Sequence, residues 1–250
     1  MERKKIALIT GATSGMGRQF VLQIQEVYPW LDEIWVIARN RERLAVLQEE
    51  VHSIRSFPMD ITSQAEFRIL QQVLEEEKPK LQFLVNSAGA GIQKEVEDTE
   101  VADLWNMTQL NVSALTAVTG ICLPYCAKDC QVICLASGAA FVPQPGFAVY
   151  AATKAYVLSF SRALRREWKG RLTVTAVCPG PVDTPFLDKM GGKEHMPAYK
   201  KWFLAKPEAV VKKALKDSAR GKELSIYGIS VKALHILCKI LPHRLILRFL

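Results

Sequence analysis

Residues 5–17 read KIALITGATSGMG, an apolar run that passes directly into a glycine-rich turn. The run Lys5 to Thr10 is typical of a buried strand, and Arg18 to Val27 shows the pattern of a helix. Glycines in such a turn permit a tight bend and let backbone N–H groups approach an anion at the helix N-terminus, where the helix dipole favours phosphate. The turn therefore predicts a phosphate site, with Ser14 as a further hydroxyl donor. Its Gly-x-x-x-Gly-x-Gly spacing differs from the common Gly-x-Gly-x-x-Gly fingerprint.

The same alternation of apolar runs and amphipathic stretches continues along the chain. Segments such as Arg41 to Val51 and Ser63 to Glu77 show helical periodicity with charged outer faces. Strands and helices in alternation predict an α/β protein with a single Rossmann-type domain, a doubly wound parallel sheet with helices on both faces. The further apolar runs that predict strands are Glu33 to Ala38, Leu81 to Asn86, Gln131 to Ala136 and Leu172 to Cys178.

The length and composition agree with this fold class. The chain has 250 residues, of which 49% are hydrophobic and 23% charged. This composition excludes a disordered or collagen-like protein, and α/β folds of this length commonly form one domain. We predict a catalytic domain over residues 1–228 and a basic, apolar tail over residues 229–250.

Positive charge is concentrated in the C-terminal quarter of the chain. Residues 1–192 carry 20 basic and 21 acidic side chains, whereas residues 193–250 carry 13 basic and 4 acidic ones. Such asymmetry indicates an anionic partner or reflects a solvated helix face with a basic tail. No reading motif with interleaved stacking aromatics accompanies it, so we predict no nucleic-acid partner.

Six cysteines occur without a secretory leader, because the apolar run near the N-terminus is too short for a signal peptide. We therefore expect a cytoplasmic chain with reduced thiols, and no apolar run is long enough to span a membrane. Cys122, Cys126, Cys130 and Cys134 are spaced by four, which suggests a metal site. The strand predicted over residues 131–136 prevents all four from sharing one helical face, and no Cys and His ligand set supports zinc, so no metal is predicted.

The end of the second predicted strand indicates which dinucleotide the turn would bind. A site for NAD usually offers a carboxylate to the adenosine ribose 2′-hydroxyl, whereas an arginine accommodates the 2′-phosphate of NADP. Residues 38–41 read ARNR, with Arg39 and Arg41 and no acid. The sequence therefore predicts NADP(H), against the alternative that the two arginines only solvate the start of a helix.

Tyr150 and Lys154 lie four residues apart in a segment of good helix formers, so their side chains share one face. A tyrosine, with a pKa of about 10, is a poor proton donor or acceptor at neutral pH unless a neighbouring cation lowers that pKa. Lys154 supplies the cation. Ser137 follows the fifth strand, in the crevice where this fold binds ligands, so the three residues predict a proton-transfer site.

These motifs, taken in order, resemble those of the short-chain dehydrogenase/reductase family. The resemblance spans Lys5 to Gly228 and rests on Thr10 to Gly17, Asn86-Ser87-Ala88-Gly89, Asn111, Ser137, Tyr150 with Lys154, and Pro179 to Thr184. Ser87 departs from the family, which commonly has a second asparagine there, but this change removes no catalytic group. The resemblance implies an oxidoreductase that interconverts a secondary alcohol and a ketone by hydride transfer. It also implies a homodimer or homotetramer formed through long helices over residues 103–127 and 149–168.

The resemblance implies a role for each site residue. Tyr150 is the general acid in ketone reduction, acidified by Lys154 and the positive nicotinamide of the oxidised complex, and Ser137 hydrogen-bonds the substrate oxygen. Asn111 anchors a water in a proton relay, and Asp60 receives the adenine amino group. The implied cofactor contacts are Gly11, Thr13, Ser14, Gly15, Met16, Gly17, Arg39, Asp60, Ile61, Asn86, Ala88, Gly89, Tyr150, Lys154, Val182 and Thr184.

A segment rich in large apolar residues indicates the substrate. Residues 181–207 fit the variable substrate loop of the family, with Gly191 and Gly192 as hinges. Its apolar residues are Phe186, Leu187, Met190, Met196, Tyr199, Trp202 and Phe203. Either they form a lid over a hydrophobic small molecule, such as a steroid, a long-chain acyl group or another bulky ketone, or they pack on the core.

The C-terminal tail has the pattern of a basic amphipathic helix. Lys232, His235, Lys239 and His243 follow near-helical spacing, which leaves Leu234, Ile236, Leu237, Ile240 and Leu241 on the remaining surface. Such a helix is typical of peripheral contact with a membrane surface, and equally of a cap on the substrate pocket or of a subunit interface.

Two other functions are compatible with the same residues. The basic C-terminal region would suit a 3-oxoacyl-thioester reductase that receives an acidic acyl carrier protein or the phosphates of coenzyme A. A regulator that senses NADP without turnover would have the same fold. The loss of a catalytic residue would indicate such a regulator, but Asn111, Ser137, Tyr150 and Lys154 are all present.

Overall fold

The computed structural model of the protein describes residues 3–190 and 204–248. The described residues form a parallel sheet of seven strands in the order β3-β2-β1-β4-β5-β6-β7. The order reverses between β1 and β4, which is the doubly wound Rossmann arrangement and confirms the predicted fold class. The strands are β1 Lys5–Thr10, β2 Glu33–Ala38, β3 Ile54–Pro58, β4 Lys80–Asn86, β5 Cys126–Leu135, β6 Leu172–Pro179 and β7 Leu224–Tyr227.

Helices connect the strands. Asn40 and Ser63 cap α2 and α3, because their side chains accept hydrogen bonds from the backbone N–H groups of Arg43 and Glu66. In the described part of the chain the helices are α1 Gly15–Val27, α2 Arg41–Glu50, α3 Gln64–Glu77, α4 Val101–Thr108, α5 Leu115–Cys122, α6 Ala148–Glu167, α7 Pro185–Lys189, α8 Pro207–Ala219, α9 Ile229–Ile240 and α10 His243–Ile246. A π-helical turn, Gln109–Ala114, joins α4 to α5, and two 3₁₀ turns cover Leu123–Tyr125 and Gly138–Phe141.

The core lies in two layers, one on each face of the sheet. Successive side chains of a strand point to opposite faces, so Ile6 and Leu8 of β1 pack in the layer covered by α3, α5 and α6. Ala7 and Ile9 pack in the other layer, which is covered by α1, α2 and α8. The burial of both faces confirms the prediction that helices cover the sheet on both sides.

Two predicted boundaries around the cysteines were wrong. The helix expected over residues 103–127 contains the π-helical turn and ends at Tyr125, and β5 begins at Cys126, five residues before the predicted strand. The early part of β5 is irregular, since Leu81 pairs with Cys126 whereas Phe83 pairs with Gln131. Periodicity alone missed this because a bulged strand has no regular repeat.

The strand explains why the four-residue spacing of the cysteines makes no helical face. Cys122 ends α5, and Cys126, Cys130 and Cys134 lie in β5. Within residues 3–190 and 204–248, no group of three or more His, Cys, Asp or Glu side chains converges as metal ligands would. In the same ranges no helix is long and apolar enough to cross a bilayer.

A buried carboxylate ties α8 to the edge strand β7. Asp217 lies in α8, 3% exposed, and accepts a hydrogen bond of 2.8 Å from the Ser225 hydroxyl while pairing with Lys213 and, at 2.8 Å, with Lys222. Burial raises the pKa of the Asp217 carboxyl, but the hydrogen bonds from Lys213, Lys222 and Ser225 outweigh it and leave the pKa at about 2.

Because its pKa is lower in the folded than in the unfolded chain, Asp217 stabilises the fold above pH 3.8, and this contribution is lost as the pH falls towards about 2. We expect Asp217→Asn to lower the free energy of unfolding by about 2 kcal/mol at neutral pH, and by much less at a pH of about 2, where the carboxyl group of the folded chain is protonated. Urea unfolding followed by circular dichroism measures both values. Asp103→Asn, an exposed residue on α4, is the control, and an unchanged cost at both pH values would contradict this role.

Candidate active site

The turn between β1 and α1 is a cradle of bare backbone. Gly11 has a φ of +65°, and a Cβ atom on it would lie 2.7 Å from the Cα of Ala88. A Cβ on Gly17 would lie 2.1 Å from the carbonyl oxygen of Gly11. The N-terminus of α1 opens into this turn, and the side chain of Ser14, its N-cap residue, makes no capping hydrogen bond. Glycine is therefore required at these positions, and the helix N-terminus is available to a phosphate group.

The ends of β1 and β4 are joined beside this cradle. The Thr10 hydroxyl accepts hydrogen bonds of 3.1 Å from the backbone N–H groups of Ser87 and Ala88. Asn86, which was predicted to line the adenosine side, instead directs its amide nitrogen to the Thr119 hydroxyl at 2.9 Å and is 2% exposed. The Asn86 side chain thus joins β4 to α5, and its predicted contact with a cofactor stays a prediction.

The ends of β2 and β3 place Arg39 next to Asp60. The closest approach is 3.6 Å, between a terminal guanidinium nitrogen and Oδ2, and Arg39 is 70% exposed. Burial raises the pKa of the Asp60 carboxyl, but hydrogen bonds from Thr62 and the charge of Arg39 outweigh it, so the pKa lies below its ordinary value. Asp60 was predicted to receive the adenine amino group. Its Oδ1 accepts hydrogen bonds from the Thr62 backbone N–H and hydroxyl, at 2.9 and 2.7 Å, and its contact with the adenine stays a prediction.

Tyr150 and Lys154 project from one face of α6 towards the carboxyl end of β5, as their spacing predicted. The Lys154 ammonium is 5% exposed, donates a 2.8 Å hydrogen bond to the Leu135 carbonyl and lies 5.6 Å from the centroid of the Tyr150 ring. A Cβ on Gly89 would come within 3.4 Å of Nζ. The end of β5, the end of β4 and α6 therefore meet at the lysine.

Burial dominates the electrostatics of this pair. It raises the pKa of Tyr150 to about 12, although the hydrogen bond with Ser137 lowers it, and it lowers the pKa of Lys154 to about 8. In the chain alone, the loss of water around the phenol therefore outweighs the lowering by its neighbours. The acidification expected from Lys154 together with the nicotinamide of the oxidised complex stays a prediction. At neutral pH the phenol keeps its proton and the lysine is charged.

Asn111 lies in the π-helical turn and binds backbone. Its side-chain oxygen accepts a hydrogen bond of 2.8 Å from the Ala90 N–H. Its side-chain nitrogen donates hydrogen bonds to the Ala90 carbonyl, at 2.8 Å, and to the Thr153 hydroxyl, at 3.0 Å. Such a turn widens a helix locally and is frequent at functional sites. Asn111 thus holds the segment after β4 against α6, which places it beside Lys154; its predicted role in anchoring a water remains a prediction.

Ser137 begins the 3₁₀ turn that follows β5. Its hydroxyl accepts a 3.1 Å hydrogen bond from the Ala139 N–H, and the same side chain hydrogen-bonds Tyr150. Asn111, Ser137, Tyr150 and Lys154 are therefore brought together at the carboxyl edge of the sheet, as the sequence predicted.

The loop after β6 completes the edge nearest the cradle. Val182 and Thr184 are buried, and a Cβ on Gly15 would lie 3.2 Å from the Thr184 side chain. An isolated bridge pairs Val182 with Ala205, just before α8. These two predicted cofactor contacts therefore lie directly opposite the glycine turn. Thr13 lies in that turn, Met16 and Gly17 lie in the first turn of α1, and Ile61 follows β3 and is buried.

Apolar side chains enclose Tyr150, and sequence reasoning missed most of them. Phe147 stacks on its ring with 4.3 Å between centroids, and Phe186 of α7 approaches to 5.9 Å. A Cβ on Gly91 would lie 2.7 Å from the Phe186 ring, so the phenyl group rests on bare backbone. Phe186 belongs to the predicted substrate loop; Gly91 and Phe147 had no signal besides their proximity in the chain to Gly89 and Tyr150. Gly191, Gly192, Met196, Tyr199, Trp202 and Phe203 of that loop lie outside the described residues.

The tail also reaches the site. A Cβ on Gly138 would lie 2.9 Å from Val231 Cγ1, and the His235 ring packs on Phe141 with 4.4 Å between centroids. His235 was predicted to share a polar row with Lys232 and Lys239, but it lies on the inner face of α9. The tail predicted as a separate segment therefore packs against the turn that carries Ser137.

The glycine cradle and the proton-transfer group of Ser137, Tyr150 and Lys154 lie at the same edge of a doubly wound sheet. This arrangement is typical of a Rossmann-type oxidoreductase. The profile of the short chain dehydrogenase family matches residues 5–195. The chain belongs to the short-chain dehydrogenase family, as its motifs predicted.

Relatives with different named activities are similar to this chain in sequence. The chain is 32% identical over 198 residues to sulfoacetaldehyde reductase 2 of Chromohalobacter salexigens, which covers 76% of this chain and 77% of that protein. It is 29% identical over 188 residues to 11-beta-hydroxysteroid dehydrogenase-like 3 of Arabidopsis thaliana, which covers 72% of this chain and 60% of that protein.

Solved structures share the fold. A short-chain dehydrogenase from Sphingobium yanoikuyae in complex with NADPH has a TM-score of 0.78 at 24% identity, covering 92% of this chain and 90% of that one. A short chain dehydrogenase/reductase from Burkholderia phymatum in complex with NAD has a TM-score of 0.80 at 19% identity, covering 94% and 92%. At these identities the likeness concerns the fold.

The cradle can be tested with a pair of glycines of nearly equal φ. Gly146, at +67°, has no atom within 4 Å of an added Cβ, so Gly146→Ala should cost only the backbone strain of about 1 to 2 kcal/mol. Gly11→Ala adds the clash with Ala88, and we expect a further cost of roughly 1 to 3 kcal/mol. Urea unfolding of both variants measures the difference, and equal costs would show that the turn can open to admit a side chain.

Proposed function

We propose that this protein is an NADP(H)-dependent oxidoreductase that reduces the carbonyl of a bulky, apolar small molecule and oxidises the corresponding secondary alcohol. The observation that carries the proposal is the convergence of Ser137, Tyr150 and Lys154 inside an apolar enclosure beside the glycine cradle. A nonpolar pocket with a few converging polar groups is the usual form of a small-molecule site.

The cradle fits a dinucleotide. The residues that would hold it are the backbone of Gly11 to Gly17, Arg39 at the adenosine side, Lys154 at the nicotinamide ribose, and Val182 with Thr184 at the carboxamide. Ile61, Ala88 and Gly89 would line the space between them. When bound, the nicotinamide supplies or accepts the hydride.

The chain supplies the proton and orients the carbonyl. The Ser137 hydroxyl hydrogen-bonds the substrate oxygen, and the Tyr150 hydroxyl donates its proton to the same oxygen as negative charge develops there. The Lys154 ammonium, fixed by the Leu135 carbonyl, then stabilises the tyrosinate. In alcohol oxidation the proton returns along the same path.

The protonation state of Tyr150 in the chain alone matches the role of general acid that it would have in ketone reduction. With a pKa of about 12, Tyr150 is protonated throughout the neutral range, which is the form that donates a proton. To act as a base in oxidation it would first have to lose that proton, and this requires more positive charge nearby than Lys154 provides in the chain alone.

Arg39 supports NADP(H) over NAD(H). It is 70% exposed at the end of β2, where the family resemblance puts the adenosine ribose, and Asp60 holds it only loosely at 3.6 Å. A guanidinium group binds phosphate through paired, charge-assisted hydrogen bonds. Of the two solved structures compared above, one contains NADPH and the other NAD, so the preference rests on this chain's own residues.

The enclosure around Tyr150 supports an apolar substrate. Phe147, Phe186, Ile92 and Met107 belong to one apolar cluster with the tyrosine. The name of the Arabidopsis relative points to a steroid ketone as one member of this class. The substrate loop was expected either to cover a hydrophobic substrate or to pack on the core, and its described residues do both. Leu187 packs on the core, with 6% of its surface exposed. Phe186 and Met190 face Gly91, beside Tyr150.

A 3-oxoacyl-thioester substrate is less well supported. The basic groove of the C-terminal region is lined by Lys212, Lys213, Lys216, Arg220 and Lys222. Lys222 precedes β7 and Arg220 follows α8, whereas Ala209 near the start of α8 and Tyr227 at the end of β7 also line the groove, so it runs along α8 between the two edges of the sheet. Asp217 pairs with two of its lysines, which reduces the positive charge that the groove offers to an anionic carrier.

We also propose that the protein forms a homodimer through α4, α5 and α6, as the family resemblance implies. Val101 and Trp105 on α4 are 78% and 66% exposed, and Tyr156 on α6 is 37% exposed. Large apolar side chains exposed on neighbouring helices are typical of a subunit interface.

The function is tested by Tyr150→Phe, which removes the hydroxyl and keeps the ring between Phe147 and Phe186. We expect kcat for ketone reduction to fall by roughly a hundredfold to ten-thousandfold, because a general acid contributes a factor of that size. The assay follows loss of NADPH absorbance with steroid ketones, 3-oxoacyl thioesters and small ketones. Tyr28→Phe, which removes a hydroxyl at the end of α1 far from the carboxyl edge of the sheet, should keep full activity.

The outcomes of this assay separate the alternatives. Turnover of steroid or other bulky ketones alone supports the proposal, whereas turnover of the thioesters alone would favour the 3-oxoacyl reductase. NADPH binding without turnover of any substrate would favour the regulator.

The cofactor preference is tested by Arg39→Ala. Losing a charge-assisted hydrogen bond to the 2′-phosphate should raise the dissociation constant for NADPH by roughly tenfold to a hundredfold and change that for NADH by less than about twofold. Fluorescence titration measures both constants. Arg68→Ala, an exposed arginine on α3, is the matched control. An equal change for the two cofactors would show that Arg39 does not read the phosphate.

A further inference from the structure

Helix α9 is apolar on both sides. Its inner face consists of Val231, Leu234, His235 and Cys238, which follow helical spacing and are buried or half-buried. Val231 packs against Gly138 and Gly180, and His235 packs on Phe141. The packing of α9 on the domain is therefore complete without the opposite face.

The outer face of α9 is a row of large aliphatic residues in contact with solvent. Ile229 is 84% exposed, Ile236 57% and Ile240 71%, and Leu237 and Leu241 add 41% and 37%. Leu245 and Leu247, which follow in and after α10, are also exposed, by 42% and 37%. A contiguous apolar surface of this kind, rather than scattered single residues, marks an interaction site. We call these seven residues the outer apolar face.

Positive charge flanks this face, and the tail itself carries no acidic residue. The sequence contains no Asp or Glu after Glu223, whereas Lys232, Lys239, Arg244 and Arg248 are present and exposed. Within the part of the chain that the structure describes, none of these four basic side chains forms an ion pair. On the helical projection, Lys232 and Lys239 lie on one flank of the row of isoleucines.

We propose that the outer apolar face docks on the surface of an anionic phospholipid bilayer. Aliphatic residues bordered by unpaired basic ones match both parts of such a surface, since the aliphatic side chains enter the acyl boundary and the basic ones meet the lipid phosphates. A second copy of the chain fits less well, because a twofold contact would bring two identical basic faces together. The helix lies on the bilayer and does not span it.

Docking would place the catalytic turn near lipid. The inner face of α9 supports Gly138 and Phe141, directly after Ser137, so one helix diameter of about 10 Å separates this turn from the bilayer. An apolar ketone concentrates in lipid and would enter the site from there. This last step, unlike the docking itself, rests on the proposed function.

Sedimentation of the full chain with vesicles tests the docking. One set of vesicles is neutral phosphatidylcholine, and the other contains phosphatidylglycerol as well. We expect the wild-type chain to bind the anionic vesicles at least about tenfold more tightly than the neutral ones, with binding weakened by salt. The double variant Ile236→Glu with Ile240→Glu should lose at least about tenfold in affinity for the anionic vesicles.

Ile69→Glu is the matched control, because Ile69 on α3 is 55% exposed, almost the same as Ile236, and lies far from the tail in the fold. It should bind vesicles as the wild type does. Lys232→Glu with Lys239→Glu should abolish the preference for anionic vesicles and leave the weaker binding to neutral ones. Circular dichroism verifies that each variant folds.

Either of two results would overturn the proposal. The first is that the wild-type chain sediments with neither kind of vesicle. The second is that the double isoleucine variant sediments with anionic vesicles as the wild type does. If that variant also had a smaller assembly mass in solution while the wild type ignored vesicles, the outer apolar face would be a subunit interface.

The test is independent of the enzyme assay, because vesicle binding is measured without cofactor or substrate. Turnover without vesicle binding would overturn only the docking. Vesicle binding without turnover of any ketone would overturn only the proposed function.

Discussion

The buried ammonium group of Lys154 is the constraint around which the site is organised. A charged group removed from water must be hydrogen-bonded or paired, or its pKa shifts until it is neutral. Lys154 does some of each: it donates to the Leu135 carbonyl, and its pKa falls to about 8. A Cβ on Gly89, which lies in the segment after β4, would be 3.2 Å from the amide oxygen of Asn111 and 3.4 Å from Nζ, so the glycine lets the chain pass close to both groups. The π-helical turn with Asn111 closes the same segment against α6.

The desolvation that perturbs Lys154 also sets the state of Tyr150. The phenol lies between Phe147 and Phe186 and keeps its proton, so the chain presents a proton donor before any ligand binds. Phe186 rests on the bare backbone of Gly91 beside the tyrosine, so α7 borders the approach to Tyr150. The apolar enclosure that raises the pKa of Tyr150 is thus the same surface that an apolar substrate would contact.

The C-terminal segment connects this centre with the surface of the molecule. Val231 occupies the space left by Gly138 and Gly180, and a larger residue at either glycine would push α9 away. Because the inner face of the helix is fixed in this way, its exposed isoleucines have a defined orientation relative to Ser137. The tail is therefore a structural part of the catalytic domain, and its outer surface is oriented by the packing that supports the active site.

The sequence alone determined the features that depend on local periodicity. The apolar runs predicted five of the seven strands, all but β3 and β7. The glycines predicted the turn after β1, and the four-residue spacing put Tyr150 and Lys154 on one face of α6. The interrupted helix before β5 escaped prediction because neither a π-helical turn nor a bulge has a repeat.

Only the tertiary structure decided the pairing of Arg39 with Asp60, the inward orientation of His235, the contact of Phe186 with Gly91 and the direction of the Tyr150 pKa. Each depends on residues far apart in the chain and on how much water the fold removes between them, and no local pattern of residues contains that information.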